Sequence, residues 1–420
     1  MEKPNLTVKL WARLGPAQGQ ALSLLLALAR ERRLPLYLVG GSVRDLLLGS
    51  PTLDLDLVVE GDAPALAQAA AAALEGARAT IHGAFGTATV LGPGYRLDLA
   101  TARAESYPRP GALPRVRPAA IEDDLGRRDF TVHAMALALS GAREGRLLDP
   151  HGGLADLRSG LLRVLHEASF QDDATRILRA ARYAARFSFH LEARTLAWME
   201  RDAPYLATIS GPRLHHELLR TLEEERPADA LALLEGLGAL RHIHPALAFD
   251  DGMARAFALA PSLAGAEAGP PLYLAVLAAR LTEGEAASLA QRLSLNRRER
   301  EAVLAMPRLR RAARGLAGDA SPSQVVRLLE PFPTAALWAF ALVGDELARG
   351  TVLRYLREWR QVRPALGGRD LLRLGVPRGP RMGQLLAALR DARLEGRVRS
   401  REEEMEMVRA LLAAGEVEKA

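Results

Sequence analysis

The chain of 420 residues contains no cysteine. That absence removes disulfide frameworks, thiolate metal centres and cysteine nucleophiles, and leaves oxygen and imidazole as the donors for any metal. Lysine is confined to Lys3, Lys9 and Lys419, and asparagine to Asn5 and Asn296. A GC-rich genome yields this arginine- and alanine-rich usage without any physical purpose, while a hot habitat favours the same avoidance of Cys and Asn. The longest mainly apolar stretch, Ala21 to Ala29, falls far short of the ~20 residues a membrane-spanning helix needs. Met1 to Leu10 has no apolar run of the kind signal peptides carry. A cytoplasmic chain with no membrane contact is the expectation. Also missing are a fixed-period repeat, a low-complexity linker and the His-Asp dipeptide that metal phosphohydrolase domains use; the His215-His216 pair is therefore not read as a metal site.

What is present is a chain 49% apolar, long enough for roughly three domains at about 150 residues each. Its 56 Lys+Arg against 50 Asp+Glu give a net charge of +6, which suits a polyanionic partner. Up to about residue 140, short β-type runs alternate with helical ones. Strands are expected at Leu36 to Val39, Leu53 to Val59, Ala77 to His82, Thr87 to Leu91 and Tyr95 to Ala100, with helices at Ser42 to Leu48 and Ala63 to Leu74. Tyr107 to Pro118, with four prolines, reads as a loop. After Gly160 the apolar period is helical nearly throughout.

Four ordered segments carry chemistry. In Leu38-Val-Gly-Gly-Ser-Val-Arg-Asp-Leu-Leu-Leu-Gly49 a strand runs through Gly40-Gly41 into a helix, so that backbone N–H groups can approach a phosphate and Arg44 can add charge. Asp54 and Asp56 follow, alternating along a strand and so sharing one face, where two carboxylates can bind divalent cations. Asp98, in a later strand, is expected to lie beside them. Arg127-Arg128-Asp129 is expected at a helix start capped by Thr131. Asp172 and Asp173 are expected in the first turn of a helix whose Arg176, Arg179, Arg182 and Arg186 form a basic stripe.

These segments, in unbroken order from about Tyr37 to Phe187, resemble the class II tRNA nucleotidyltransferases, the CCA-adding enzymes, with the bacterial poly(A) polymerases close beside them. Leu293-Ser-Leu-Asn-Arg-Arg-Glu-Arg300 is similar to a further family segment. The resemblance implies an α/β nucleotidyltransferase head, a small mixed sheet with helices, followed by all-α neck, body and tail. It divides the chain into an N-terminal helical extension (1–30), head (31–140), neck with the nucleotide-selecting helix (141–215), body (216–310) and tail (311–420). By the same resemblance Asp54 and Asp56 hold Mg²⁺ and Asp98 assists them. Gly41 and Arg44 touch the triphosphate of CTP or ATP, and Arg128 with Asp129 belongs to the sugar and phosphate site. Asp173 and Arg176 face the base, while Arg179 and Arg182 complete the pocket. The implied reaction is template-independent addition of CMP or AMP to the 3′ end of tRNA, whose acceptor arm is the partner. One departure is His133, where the family usually carries Asn.

The base selection has an atomic rationale. A carboxylate accepts from the exocyclic amine of cytosine or adenine and a guanidinium donates to the neighbouring ring acceptor, whereas uracil and guanine reverse both polarities. The residues leave CC-only, A-only, complete CCA and poly(A) products open, the difference being expected in loop length and shape around residues 101 to 121. A non-catalytic RNA-binding scaffold would be expected to have lost Asp54, Asp56 or Asp98.

Overall fold

The computed structural model describes residues 6–50, 54–83, 86–316, 320–344 and 346–417. They form two compact units, Met1–His242 and Ile243–Ala420.

In the first unit, helices α1 (Leu6–Trp11) and α2 (Pro16–Glu31) precede β1 (Leu36–Val39), α3 (Gly41–Leu48), β2 (Asp56–Val59) and α4 (Ala63–Ala73). Strands β3 (Arg78–His82), β4 (Thr87–Gly92), β5 (Tyr95–Thr101), β6 (Arg103–Ser106) and β7 (Arg115–Pro118) follow, then α5 (Ile121–Gly126), β8 (Ala136–Ala138) and β9 (Leu147–Leu148). One sheet runs in the order β3-β4-β5-β2-β1-β8-β9. It is mixed: β2 and β5 are parallel while β1 is antiparallel to both its neighbours. Tyr37 and Val39 of β1, with Val58, Ala136 and Ala138, bury one face of the sheet under Ile121 and Leu125 of α5. A parallel pair at the centre of a sheet needs both faces covered, and α2 and α4 lie against β5.

Several local expectations are corrected. Strand β2 begins at Asp56, so Asp54 precedes it, and Leu53 lies outside the described residues. The neighbouring ladder still reaches Leu55, whose carbonyl accepts from Asp98 N at 3.0 Å. Part of the proline-rich loop is a strand: Arg115–Pro118 pairs antiparallel with β6. This ribbon has only two strands, and at an edge a proline's missing N–H costs no ladder bond. Strands β8 and β9 escaped the sequence reading because two or three residues show no measurable period, and the sheet thereby extends past residue 140 to Leu148.

The remainder of this unit is mostly helical: α6 (Gly153–Arg158), α7 (Ser169–Asp172), α8 (Thr175–Phe187), α9 (Ala193–Asp202), α10 (Gly211–Leu222) and α11 (Pro227–Gly236). It also holds two short parallel strands, Leu161–Leu162 and His190–Leu191, where the sequence suggested helix alone.

The second unit is helical. Its Arg297–Ala312 helix starts at a capping box in which Asn296 accepts from Glu299 N and the Glu299 side chain accepts from Asn296 N. Near its C-terminus, Leu385, Leu389 and Val408 pack with Leu366, Leu371 and Val376. Among the described residues no single helix is long and apolar enough to cross a membrane; the bent pair Pro322–Leu329 and Thr334–Val343, at 116°, is buried through Val325, Leu329 and Leu337.

Candidate active site

The turn between β1 and α3 is built on a glycine requirement. Gly40 has φ +63°, and a Cβ there would meet Nη1 of Arg128 at 2.5 Å. The free N–H groups of the first turn of α3 thus open onto the space beside Arg128. Ser42, in that turn, ties the motif to the carboxylates: its Oγ accepts from Asp56 N at 3.1 Å and donates to Asp56 Oδ2 at 3.3 Å. Asp54 makes no ion pair or hydrogen bond among the described residues.

The parallel register sets Asp98 directly beside Asp56. Burial, then the Asp98 charge, push the Asp56 carboxyl above the ordinary carboxylate value, against the Ser42 hydrogen bond. Asp98 is shifted the other way. Burial would raise it, but hydrogen bonds from Arg96, at 2.7 and 3.0 Å, and from Thr89, at 2.6 Å, outweigh that. Among the described residues no arginine hydrogen-bonds to Asp54 or Asp56, the Arg128 charge acting on Asp56 only weakly, and the two therefore form an open oxygen donor pair. Such a pair fits a hard divalent cation that keeps water or substrate oxygens as its other ligands. Among the described residues there is no ready-made group of three acidic or histidine ligands.

Opposite stands an arginine wall. Arg127-Arg128-Asp129 lies at the exit of α5 rather than at a helix start, which suits two cations. Both arginines reach back to the fully buried Asp124, at 2.7 and 2.8 Å. Thr131 does not cap; it opens the single 3₁₀ turn Thr131–His133 and donates to Asp156 at 2.7 Å. Asp129 accepts from Arg179 Nη2 at 2.6 Å and from His133 Nδ1 at 2.9 Å. These partners hold its carboxyl well below the usual range despite its burial. Arg182, almost fully buried, pairs with Glu217 at 3.1 Å and Glu224 at 3.5 Å. In the basic stripe Arg179, Arg182 and Arg186 are thus fixed donors, each oriented by a carboxylate behind it.

Asp124→Ala strands the Arg128 guanidinium and leaves Arg127 with Glu105 alone, at 2.8 Å. Removing one partner of a buried charge cluster costs about 3–5 kcal/mol, and that loss is expected in the unfolding free energy measured with denaturant. Asp124→Asn, which still accepts, is expected to lose less. Equal losses would mean that the charge carries the whole effect, and no loss in Asp124→Asn that the cluster does not depend on its charge.

Asp173 is not in a helix's first turn. It is the extended link, φ −145°, between α7, which ends at Asp172, and α8. Its Oδ1 nevertheless accepts from Thr175 N at 3.0 Å and Thr175 Oγ1 at 2.7 Å, and Arg213 Nη2 of α10 joins at 2.7 Å. All three donors act on Oδ1; among the described residues Oδ2 accepts none. Arg176 is buried, with Nη1 donating to Ser169 Oγ at 2.7 Å and Nη2 to the Arg127 carbonyl at 2.9 Å.

Of the residues that the resemblance assigns to metal and nucleotide, all but Asp98 line one cavity of about 500 Å³, whose lining holds eight arginines and six carboxylates. Sequence reasoning missed Glu105, Tyr107, Tyr183 and Arg213. Tyr107 donates to Glu105 Oε2 at 2.8 Å, inside the stretch read as loop. Burial raises its hydroxyl pKa. Nothing local marks these four; Glu105 and Arg213 matter through partners 22 and 40 residues away, Arg127 and Asp173.

Residues 36–163 match the family described as Poly A polymerase head domain, and residues 188–250 that described as probable RNA and SrmB-binding site of polymerase A. The chain is 34% identical over 397 residues to the A-adding tRNA nucleotidyltransferase of Halalkalibacterium halodurans, covering 93% of this chain and 92% of that protein. With the CC-adding tRNA nucleotidyltransferase of Deinococcus radiodurans it shares 38% over 384 residues, 90% of each chain. The solved Thermotoga maritima CCA-adding enzyme complexed with tRNA superposes with a TM-score of 0.79 at 30% identity, covering 97% of this chain and 98% of that one.

Proposed function

Because the chain belongs to the tRNA nucleotidyltransferase family and adds CMP or AMP, from CTP or ATP, to tRNA 3′ ends with release of pyrophosphate, we propose that it does so in the cavity between β2, α3 and α8. The observation that carries this is convergence: a phosphate-type turn, an open carboxylate pair and an oriented arginine wall line one space.

Enzymes of this family generally use divalent metal ions. We assign Mg²⁺ to Asp54 and Asp56, with Asp98 beside them; bound there, it supplies activation of the terminal 3′-hydroxyl and neutralises charge as pyrophosphate leaves. The chain's own residues do the rest. The N–H groups at Gly41 and the guanidinium of Arg44 bind the triphosphate, and Arg128 and Asp129 flank the sugar and α-phosphate. Arg179 and Arg182 close the pocket from α8. The 3′-oxygen attacks the α-phosphorus in line, its bond forms as the bond to the bridging oxygen breaks, and guanidiniums offset the charge gathered on the pyrophosphate. Asp173 Oδ2, left without a donor, is aimed at the base amine.

The neck (141–215), which contains α8, carries nucleotide selection in this reading, and the body and tail (216–420) grip the tRNA. We place the reaction in the cytoplasm, where tRNA and nucleoside triphosphates meet. The deciding assay incubates the purified chain with CTP, ATP or both and with tRNA lacking CCA, lacking only the final A, or complete. Addition of two C, of one A, of all three, or of a long A tract separates the four product classes; no incorporation into any of them overturns the activity.

Affinity for tRNA is expected to fall steeply with salt and to differ little among tRNA species. Deleting 378–420 does not test this, because it removes Leu385, Leu389 and Val408 from a packed core. Arg378 and Arg381 are exposed and make no ion pair among the described residues. If either contacts a phosphate, its replacement by Glu lowers the slope of log affinity against log salt by about one. An unchanged slope in both variants removes them from the interface.

A further inference from the structure

His133 stands where the resemblance predicts asparagine, and its surroundings give it a job of its own. The ring is buried in the wall of the cavity, on the 3₁₀ turn that follows Phe130. Nδ1 lies 2.9 Å from Asp129 Oδ1, and Nε2 faces Nη1 of Arg44 within hydrogen-bonding reach. A guanidinium can only donate. Nε2 is therefore the acceptor, and the single proton of the neutral ring sits on Nδ1 and is donated to Asp129. Arg44 is fixed from its other sides as well: Asp45 accepts from Nε at 2.8 Å and Nη2 at 2.9 Å, and Phe187 and Tyr183 lie 4.5 and 5.7 Å from its Cζ.

We infer that His133 is a positioning residue: its neutral imidazole holds Arg44 in place for the incoming triphosphate, and its protonation releases Arg44, so that nucleotide binding carries a pH switch. This rests on the assignment of Arg44 to the triphosphate.

The charges facing the ring are few. Asp129 lies on one side, Arg44 from α3 on the other, and Arg179 from α8 behind Asp129. Arg128 approaches on the backbone side, across Gly40 from the His133 carbonyl. Asp45 faces Arg44 and Asp156 takes the Thr131 hydroxyl, so neither reaches the imidazole. Phe130 and Tyr183 cover the ring edge-on at 5.9 and 4.6 Å between centroids. Burial lowers the imidazole pKa below its ordinary 6.5, and Arg44 and Arg179 add to this against the pull of Asp129. The direction of the switch follows. Near neutrality the ring is uncharged and Arg44 keeps its acceptor. As pH falls through the lowered value, Nε2 gains a proton, two donors and two like charges meet, and Arg44 must turn away.

The test compares KM for CTP and ATP, and kcat, from pH 5 to 8.5 with saturating tRNA in the wild type, His133→Asn and His133→Ala. Wild-type KM is expected to rise about tenfold for each pH unit below the titration, as for any single essential group. His133→Asn keeps an oxygen acceptor that does not titrate, and its KM should change only as far as the nucleotide's own phosphates titrate. His133→Ala has no acceptor, so its KM should be raised by about tenfold at every pH, the size of one hydrogen bond to a charged group. Titration of the nucleotide's own phosphates is common to all and cancels in the comparison.

An acid rise in KM as steep in His133→Asn as in the wild type overturns the inference. A measurement that needs no variant accompanies it: ¹⁵N-histidine spectra of the wild type should show the Nδ1–H tautomer with Nε2 unprotonated, and the opposite tautomer overturns the geometry. Arg44→Ala separates the layers. If its nucleotide KM is unchanged, the triphosphate assignment fails and the switch has nothing to act on, while the tautomer still reports whether His133 and Arg44 touch.

Discussion

Asp56→Asn is expected to lower kcat for nucleotide addition by about a thousandfold or more while leaving tRNA affinity nearly unchanged. A bound cation acting on the attacking and leaving oxygens contributes several kcal/mol, and each 1.36 kcal/mol is tenfold in rate. Asp54→Asn should behave alike, since both carboxylates lie open to the same cavity. Asp98→Asn should lose less, because Arg96 and Thr89 already occupy its oxygens and it does not line that space. The fold is expected to respond in the opposite sense to the rate. Asp56 ionises reluctantly, pushed up by burial and by Asp98, so its charged form destabilises the folded state at neutral pH. Neutralising it should leave Tm in EDTA equal to the wild type's or higher, and abolish the rise in Tm that Mg²⁺ gives the wild type. Retained incorporation in either Asp54→Asn or Asp56→Asn would remove the metal assignment. A lost rate with a lowered Tm in EDTA would show only a damaged fold.

Asp173 offers the second large effect, in selectivity rather than rate. A good bidentate contact discriminates by about 1–3 kcal/mol, so Asp173→Ala should erase roughly one to two orders of magnitude of preference for CTP and ATP over UTP and GTP. The division of labour between its oxygens makes Asp173→Asn more telling. With Oδ1 kept toward Thr175 and Arg213, the amide nitrogen takes the place of Oδ2 and turns an acceptor into a donor. Donor meets donor at the amine of cytosine, while the carbonyl of uracil gains a partner. The ratio of kcat/KM for UTP to that for CTP should therefore rise further in the Asn variant than in the Ala variant. If Asp173 only orders the start of α8, the Ala variant loses about 1 kcal/mol of stability, and the nucleotide ratios of both variants match the wild type.

Much of this site is legible along the chain because its pieces are local. A strand, two glycines and a helix in a dozen residues announce a phosphate turn, and the two-residue spacing of Asp54 and Asp56 puts both on one side of an extended segment; both line the cavity. The periodic run from Ala174 to Phe187 fixes α8, and with it the order of its arginines. The sequence by itself thus determined the elements, the order of the motifs and the residue types that could bind metal, phosphate and base.

Tertiary structure alone decided what each charge does. That Asp98 sits abreast of Asp56 depends on a parallel pairing across 42 residues, and that Thr89 donates to its carboxylate depends on β4 lying alongside. Asp124, unremarked among acidic neighbours, became the buried anchor of Arg127 and Arg128. Arg213 reached Asp173 from another helix, and His133 came to lie between Asp129 and Arg44. A period in the sequence reports which face of an element is apolar, since burial repeats with the backbone's own geometry. A long charged side chain has no such period: its partner is whichever counter-charge the packed fold brings within about 3 Å in a desolvated space.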